Sequence, residues 1–347
     1  MKKVISGLVN FPNGCETVRF TACLASMLLG AEGTPEQHER LYHLYTAVTG
    51  FGFLQMDLSD DAHMQADWNQ TCNVMLRTLD WYIGFAFDYA GYEFDELIFR
   101  QEDRAACFGR IKASIDRGAP VLALFGRLYQ WVLITGYDDE GTLYGLDGSR
   151  GYWGAPTPKP AGYDEDGLFI MPNWHELGGH AFILGEKKPA TLTLRDAFAR
   201  GIRIMERMHE GQYYRRSVAF VLDDKNFEGL DSGQLLGMRR RIVDWIGQPM
   251  DLRAMIGYAT EPARLEGLSE GERIALAQVH RLCAASHDVL WVAWHALGEY
   301  MDGDALVWAK GLEQPVVRKV IADCISMVAN NDEQMLCVLR EGFGGGA

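Results

Sequence analysis

No stretch of this 347-residue chain approaches the ~20 consecutive apolar residues that a membrane-spanning helix requires, so no membrane partner is expected. Positive charge is also scarce: 33 basic residues stand against 47 acidic ones, for a formal net charge of −14. The one basic run, Met238-Arg239-Arg240-Arg241, is too short to track a phosphate backbone, which argues against nucleic acid as a partner. The seven cysteines are odd in number and form no Cys-x-x-Cys pair. Free thiols in a reducing compartment are therefore expected in place of a disulfide framework. The start, Met-Lys-Lys-Val-Ile-Ser, lacks the apolar stretch of a secretory signal, so the expected location is cytoplasmic. No glycine-rich loop sits between a strand and a helix as a phosphate cradle would. His280, Cys283 and His287 share a helix face, but Leu276, Val279, Leu290 and Trp294 around them mark that face as packing. No cofactor or metal is expected.

What the chain does contain is ordinary material for a globular core: 48% hydrophobic and 23% charged residues, enough for one large or two medium domains. Val18, Cys23, Leu24, Met27 and Leu28 recur at helical spacing between Cys15 and the stop at Gly30. Residues 35–46, 68–84 and 102–117 also read as helices. The period then changes. Val121–Phe125, Trp131–Thr135 and Thr142–Leu146 read as strands, with a hairpin turn at Tyr137-Asp138-Asp139-Glu140-Gly141. Residues 168–171 and 180–184 read as two more, after a Pro/Gly-rich loop over roughly 151–166 of the length that covers sites. Beyond Pro189 the pattern is helical. Thr193…Asp196 and Ser269…Glu272 resemble capping boxes, and residues 314–341 continue as helix. The fold class is therefore α+β, an N-terminal domain over 1–188 followed by an all-α domain over 189–341 and a tail over 342–347.

Asn13-Gly14-Cys15 places a turn before a helix, so Cys15 is expected in the first helical turn, facing unpaired amides that stabilise a thiolate. Cys23, two turns deeper, reads as core. Asn10 is positioned in the sequence to offer an amide to an oxyanion.

The strand Gln130-Trp-Val-Leu-Ile-Thr-Gly-Tyr-Asp138, followed by Thr142-Leu-Tyr-Gly-Leu-Asp147, resembles a motif of the bacteriocin-leader-processing cysteine peptidases. There a His opens the first strand and an Asp closes the second. Cys15–Gly30, Thr49-Gly50-Phe51-Gly52-Phe53 and Pro120-Val-Leu-Ala-Leu look like elements of a subfamily of that fold, the N-terminal family of the butirosin biosynthesis protein BtrH. The resemblance covers roughly residues 1–188. It implies a papain-like fold performing acyl transfer or peptidase-like hydrolysis through a Cys thioester. The substrate would be a small molecule or peptide, carrier-protein-bound in the named member. It also implies that Asp147 is the orienting acid. The chain departs from the pattern at the base position, where Gln130 stands for His. An amide does not accept a proton at neutral pH, and general acid–base help is worth roughly 10²–10⁴-fold. Either another histidine serves, with His175 and His180 after the covering loop as the candidates, or the cleft binds without turnover. A third reading makes the C-terminal helices a homo-oligomer interface.

Overall fold

The computed structural model describes residues 1–9, 18–61, 81–125, 130–147, 161–261, 267–299 and 303–343. The chain divides into two compact units, Met1–Tyr45 with Trp81–Thr193, and Thr46–Asp80 with Leu194–Ala347. The second unit thus takes in a segment from the middle of the 1–188 span.

The first unit is mixed α/β. Among its described residues, eight strands form one antiparallel sheet: β1 (Lys3–Val4), β2 (Tyr92–Phe99), β3 (Val121–Phe125), β4 (Gln130–Tyr137), β5 (Leu143–Asp147), β6 (Gly162–Tyr163), β7 (Phe169–Met171) and β8 (Gly179–Lys187). Their order is β2-β8-β3-β4-β5-β7-β6, and β1 extends the ladder of β4 at Gly136 and Tyr137. The β4–β5 hairpin forms where the sequence places it. Asp138 accepts from the backbone N–H groups of Glu140 and Thr142 through Oδ1, and Gly141 supplies the positive φ of +81° that closes the turn. Gly145 is required for a different reason: a Cβ there would lie 2.2 Å from the Leu133 carbonyl oxygen and 2.7 Å from the Phe169 ring.

Period-2 alternation sorts the sheet into two faces. Val121, Ala123, Phe125, Val132, Ile134, Ala181 and Ile183 belong to one core cluster with Cys107, Ile111 and Ile115 of helix α4 (Arg104–Asp116). Each fully buried Val, Ile or Phe side chain among them contributes about 1.5–3 kcal/mol. The other face meets α1 (Arg19–Leu29) and α3 (Tyr82–Ala90). Phe20 packs edge-on against Trp131 at 4.8 Å and against Tyr82 at 4.9 Å, and Trp131 contacts Phe182 at 5.8 Å. Every residue from Phe20 to Met27 is buried, as expected of a helix enclosed on all sides. Between these helices in sequence, α2 (Pro35–Val48) starts with proline at its first position and a Thr34–Gln37 reciprocal cap. The short α5 (Trp174–Leu177) precedes β8.

Three local expectations are revised. Helix α1 begins at Arg19, with Val18 as a non-helical cap (φ −105°, ψ 87°). The expected placement of Cys15 falls on residues outside the described ones. The expected helix over 68–84 is described only from Trp81, which is itself non-helical, so the helix starts at Tyr82. Inside the expected covering loop, Gly162–Tyr163 forms strand β6 against β7, and residues 151–160 lie outside the described region.

The second unit is helical: α6 (Leu194–Glu210), α7 (Tyr213–Leu222), α8 (Ser232–Ala259), α9 (Glu270–Ala296), α10 (Ala305–Gly311) and α11 (Pro315–Phe343). Full capping boxes open α8 at Asp231/Gln234 and α9 at Ser269/Glu272. The segment after α2, which includes the 3₁₀ turn Phe51–Phe53, runs past buried side chains that satisfy its carbonyls. Arg200 Nε donates to Thr49, Trp245 Nε1 to Met56, and Arg253 Nη1 to Gly52. Without such partners each buried carbonyl would cost about 1–3 kcal/mol.

Candidate functional site

Asn10 and Cys15 lie outside the described residues. Gln130 opens β4 opposite Phe125 in the register, and Asp147 closes β5 opposite Val132. Asp147 is buried at 8% exposure and accepts a hydrogen bond from the Tyr163 hydroxyl.

The two candidate histidines are separated by the sheet. His175, on α5, follows Trp174 of the α4-side cluster, and its Nε2 donates to the Glu102 carbonyl oxygen at 2.9 Å. That bond commits the ring nitrogen and reads as anchoring. His180 lies in β8 on the opposite face. In the register, Ile98, His180, Leu124 and Trp131 form one row across β2, β8, β3 and β4. Directly opposed residues share a face, so His180 stands on the face covered by α1. Its ring stacks near that of Phe182, at 6.3 Å and 8°.

His180 is also paired. Its Nδ1 lies 2.6 Å from Oε1 of Glu96, with the two side chains 23% and 29% exposed. A carboxylate at Nδ1 holds the proton on that nitrogen and leaves Nε2 as the acceptor, the tautomer a general base requires. Nε2 makes no hydrogen bond among the described residues. Neither histidine contacts Asp147.

Glu96 is the residue that sequence reasoning missed, because strand β2 itself was missed. Tyr92-Glu-Phe-Asp alternates correctly, but Asp95-Glu96 breaks the pattern in mid-strand. The pairing joins residues 84 positions apart, and only sheet registration brings them together.

The described thiols divide by exposure. Cys23, Cys107, Cys283 and Cys324 are buried, and Cys337 is exposed. Burial raises the Cys107 and Cys324 thiols above their ordinary value and pushes Cys283 up to about 12. None of these buried thiols is set up as a nucleophile.

Among the described residues there is no group of three or more His, Cys, Asp or Glu side chains arranged to hold a metal ion, and no helix long and apolar enough to cross a membrane. Comparison with protein-family models, with curated proteins and with solved structures finds no match to this chain.

Proposed function

We propose that the N-terminal unit is a papain-like thiol site in which Cys15 attacks an amide or thioester carbonyl, with His180, oriented by Glu96, as its base. The observation that carries this reading is the His180–Glu96 pair on the sheet face that α1 covers. The reach is sufficient. Trp131, beneath Phe20, is two strands from His180, about 10 Å. Cys15 precedes Phe20 by five residues, which span up to ~17 Å when extended.

In the proposed cycle His180 Nε2 takes the thiol proton, and the thiolate adds to the carbonyl carbon. The proton then passes from Nε2 to the departing amine or thiol as the acyl–sulfur bond is completed. Water or an acceptor amine, deprotonated by the same nitrogen, releases the acyl group. Because α1 is capped by Val18, thiolate stabilisation is assigned here to the imidazole and not to the first turn of α1.

The test is iodoacetamide labelling of the full chain carrying Cys337→Ser, followed by peptide mass analysis across pH. Cys15 should label fastest at neutral pH, and His180→Gln should slow it by about tenfold or more as the thiolate fraction falls. Labelling of Cys15 at the rate of an ordinary thiol, unchanged in His180→Gln, would refute the assignment. Gln130 at the family's base position favours a second reading, a non-catalytic cleft for a small molecule or peptide. Ligand affinity that survives Cys15→Ala with no detectable turnover by the parent chain would select it.

A further inference from the structure

Trp81 is the non-helical cap of helix α3 (φ −81°, ψ 83°), and it remains 41% exposed. Two preferences of a helix start are set aside to hold it there. The cap position favours Asn, Asp, Ser or Thr, whose side-chain oxygens accept from the first helical amides, and an indole has no oxygen to accept them. Gly84, in the first turn, adds the residue with the weakest helical preference after proline. The indole explains the glycine. A Cβ on residue 84 would stand 2.6 Å from Trp81 Cδ1 and 2.9 Å from Nε1, so an alanine would push the ring from its seat along the helix start.

From that seat the indole meets Phe182 of β8, with ring centroids 6.5 Å apart. Phe182 in turn lies nearly parallel to the His180 ring, at 6.3 Å and 8°. Phe94 at 6.1 Å and Trp131 at 5.8 Å hold Phe182 from its other sides. Phe182 is 1% exposed, so this aromatic array is closed at its middle. It opens to solvent at Trp81 and again at the His180–Glu96 pair, whose side chains are 23% and 29% exposed. The indole and the base therefore flank one buried ring on the same side of the sheet. All of these residues belong to the first unit.

A single exposed apolar side chain on a protein surface needs no explanation. Trp81 differs, because local helix preferences are overridden to seat a ring that is still left partly open. Breaks of local preference without a matching gain in burial fall at functional positions.

We propose that Trp81 determines the specificity of the thiol site by stacking on an aromatic ring that the acyl donor carries a few bonds from its reacting carbonyl. This rests on the assignment of Cys15 and His180 made above. The substrate class is an arylalkanoyl thioester or amide. An indole face attracts a second ring by offset or edge-on contact, beyond the apolar area the two bury, and a short aliphatic chain gains only the area. With a thioester donor, the Cys15 sulfur bonds to the acyl carbon as the bond to the leaving sulfur breaks. The departing thiol takes the proton that His180 accepted from Cys15.

The N-acetylcysteamine thioesters of 3-phenylpropanoic and propanoic acids, each given to the full chain, test this. Acylation of Cys15 is followed by peptide mass analysis. Below saturation, the phenyl thioester should acylate Cys15 about tenfold faster or more. Trp81→Ala should slow the phenyl thioester and bring the ratio of the two rates within about twofold, its fold checked by circular dichroism. Trp81→Phe, which keeps a ring, should retain part of the preference, a graded loss that general damage to the fold would not produce. Equal rates for the two thioesters in the parent chain would overturn the proposal. So would a preference that survives Trp81→Ala. In either case rapid iodoacetamide labelling of Cys15 shows that the thiol assignment itself stands. Labelling of Cys15 at the rate of an ordinary thiol would refute that assignment, and this inference with it.

Discussion

Replacing Asp332 by asparagine tests how the helical unit is held together. Asp332 accepts four hydrogen bonds, from Arg253 Nε at 2.9 Å, Arg253 Nη2 at 2.5 Å, Gln55 Nε2 at 3.1 Å and the Tyr214 hydroxyl at 2.9 Å. Arg253 is wholly buried, and it also donates to the backbone carbonyls of Gly52 and Leu54. Burial alone would lower the Arg253 pKa, but Asp332 and Tyr214 outweigh it and raise it, so the guanidinium stays charged. Burial likewise pushes the Tyr214 phenol well above its ordinary value, so it remains a neutral donor. Asparagine removes the counter-charge and aims an N–H₂ group at one of these donors. Removing one partner of a buried pair costs about 3–5 kcal/mol, which for a unit of this size lowers Tm by roughly 10 °C. Urea unfolding followed by tryptophan fluorescence would measure it. A double-mutant cycle with Arg253→Met should show coupling between the sites, but incomplete recovery, because the Gly52 and Leu54 carbonyls lose their donor. A cost below about 1 kcal/mol for Asp332→Asn, or zero coupling, would show that the network does not carry the stability ascribed to it.

Gly145→Ala should destabilise the first unit by about 1–3 kcal/mol, because the new methyl group meets the Leu133 carbonyl and the Phe169 ring; an unchanged denaturation midpoint would contradict that close approach. Hydrogen bonds from Lys3 and Tyr137 hold the Asp116 carboxyl down at about 2. With the folded value depressed, this contribution is present above the ordinary value of 3.8 and is lost as pH falls through about 2. A carboxyl NMR titration should therefore show Asp116 still largely ionised at pH 3 and Lys3→Ala moving its midpoint upward. A wild-type midpoint near the ordinary value would count against the Lys3 contact. Among the described cysteines, Cys337 should alkylate in the native state while Cys283 reacts only on unfolding, as its exposure and raised thiol pKa require; early modification of Cys283 would show that α9 opens locally.

Much of the architecture was legible because local chemistry controls it. The β4–β5 hairpin follows from Asp138 and Gly141 acting within five residues, and the start of α9 follows from Ser269 and Glu272 within four. The same holds for the long helices of the C-terminal region and for the run from Phe20 to Met27, apolar enough to be enclosed. Strand β2 was not legible, because its half-exposed edge tolerates Asp95 and Glu96 where a central strand would not. The start of α1 was misplaced because Val18, an apolar residue that fits a helical pattern, is the non-helical cap.

The candidate site divides in the same way. Sequence by itself determined the candidates: a cysteine ahead of a buried helix, a glutamine at the position where the resembled family has histidine, and two histidines further on. Which histidine has an acid partner was decided only by tertiary structure. His175 and His180 are five residues apart in the chain, yet the pleat and the turn at Gly178-Gly179 send them to opposite faces. One ring is tied to a backbone carbonyl and the other to Glu96. Likewise, nothing near Gln55 in the sequence announces the partner of its side chain. Its amide nitrogen donates to Asp332, 277 residues away, a contact that only the tertiary fold creates. Short-range patterning reports what a residue can do, and long-range registration decides which of those capacities are left unspent.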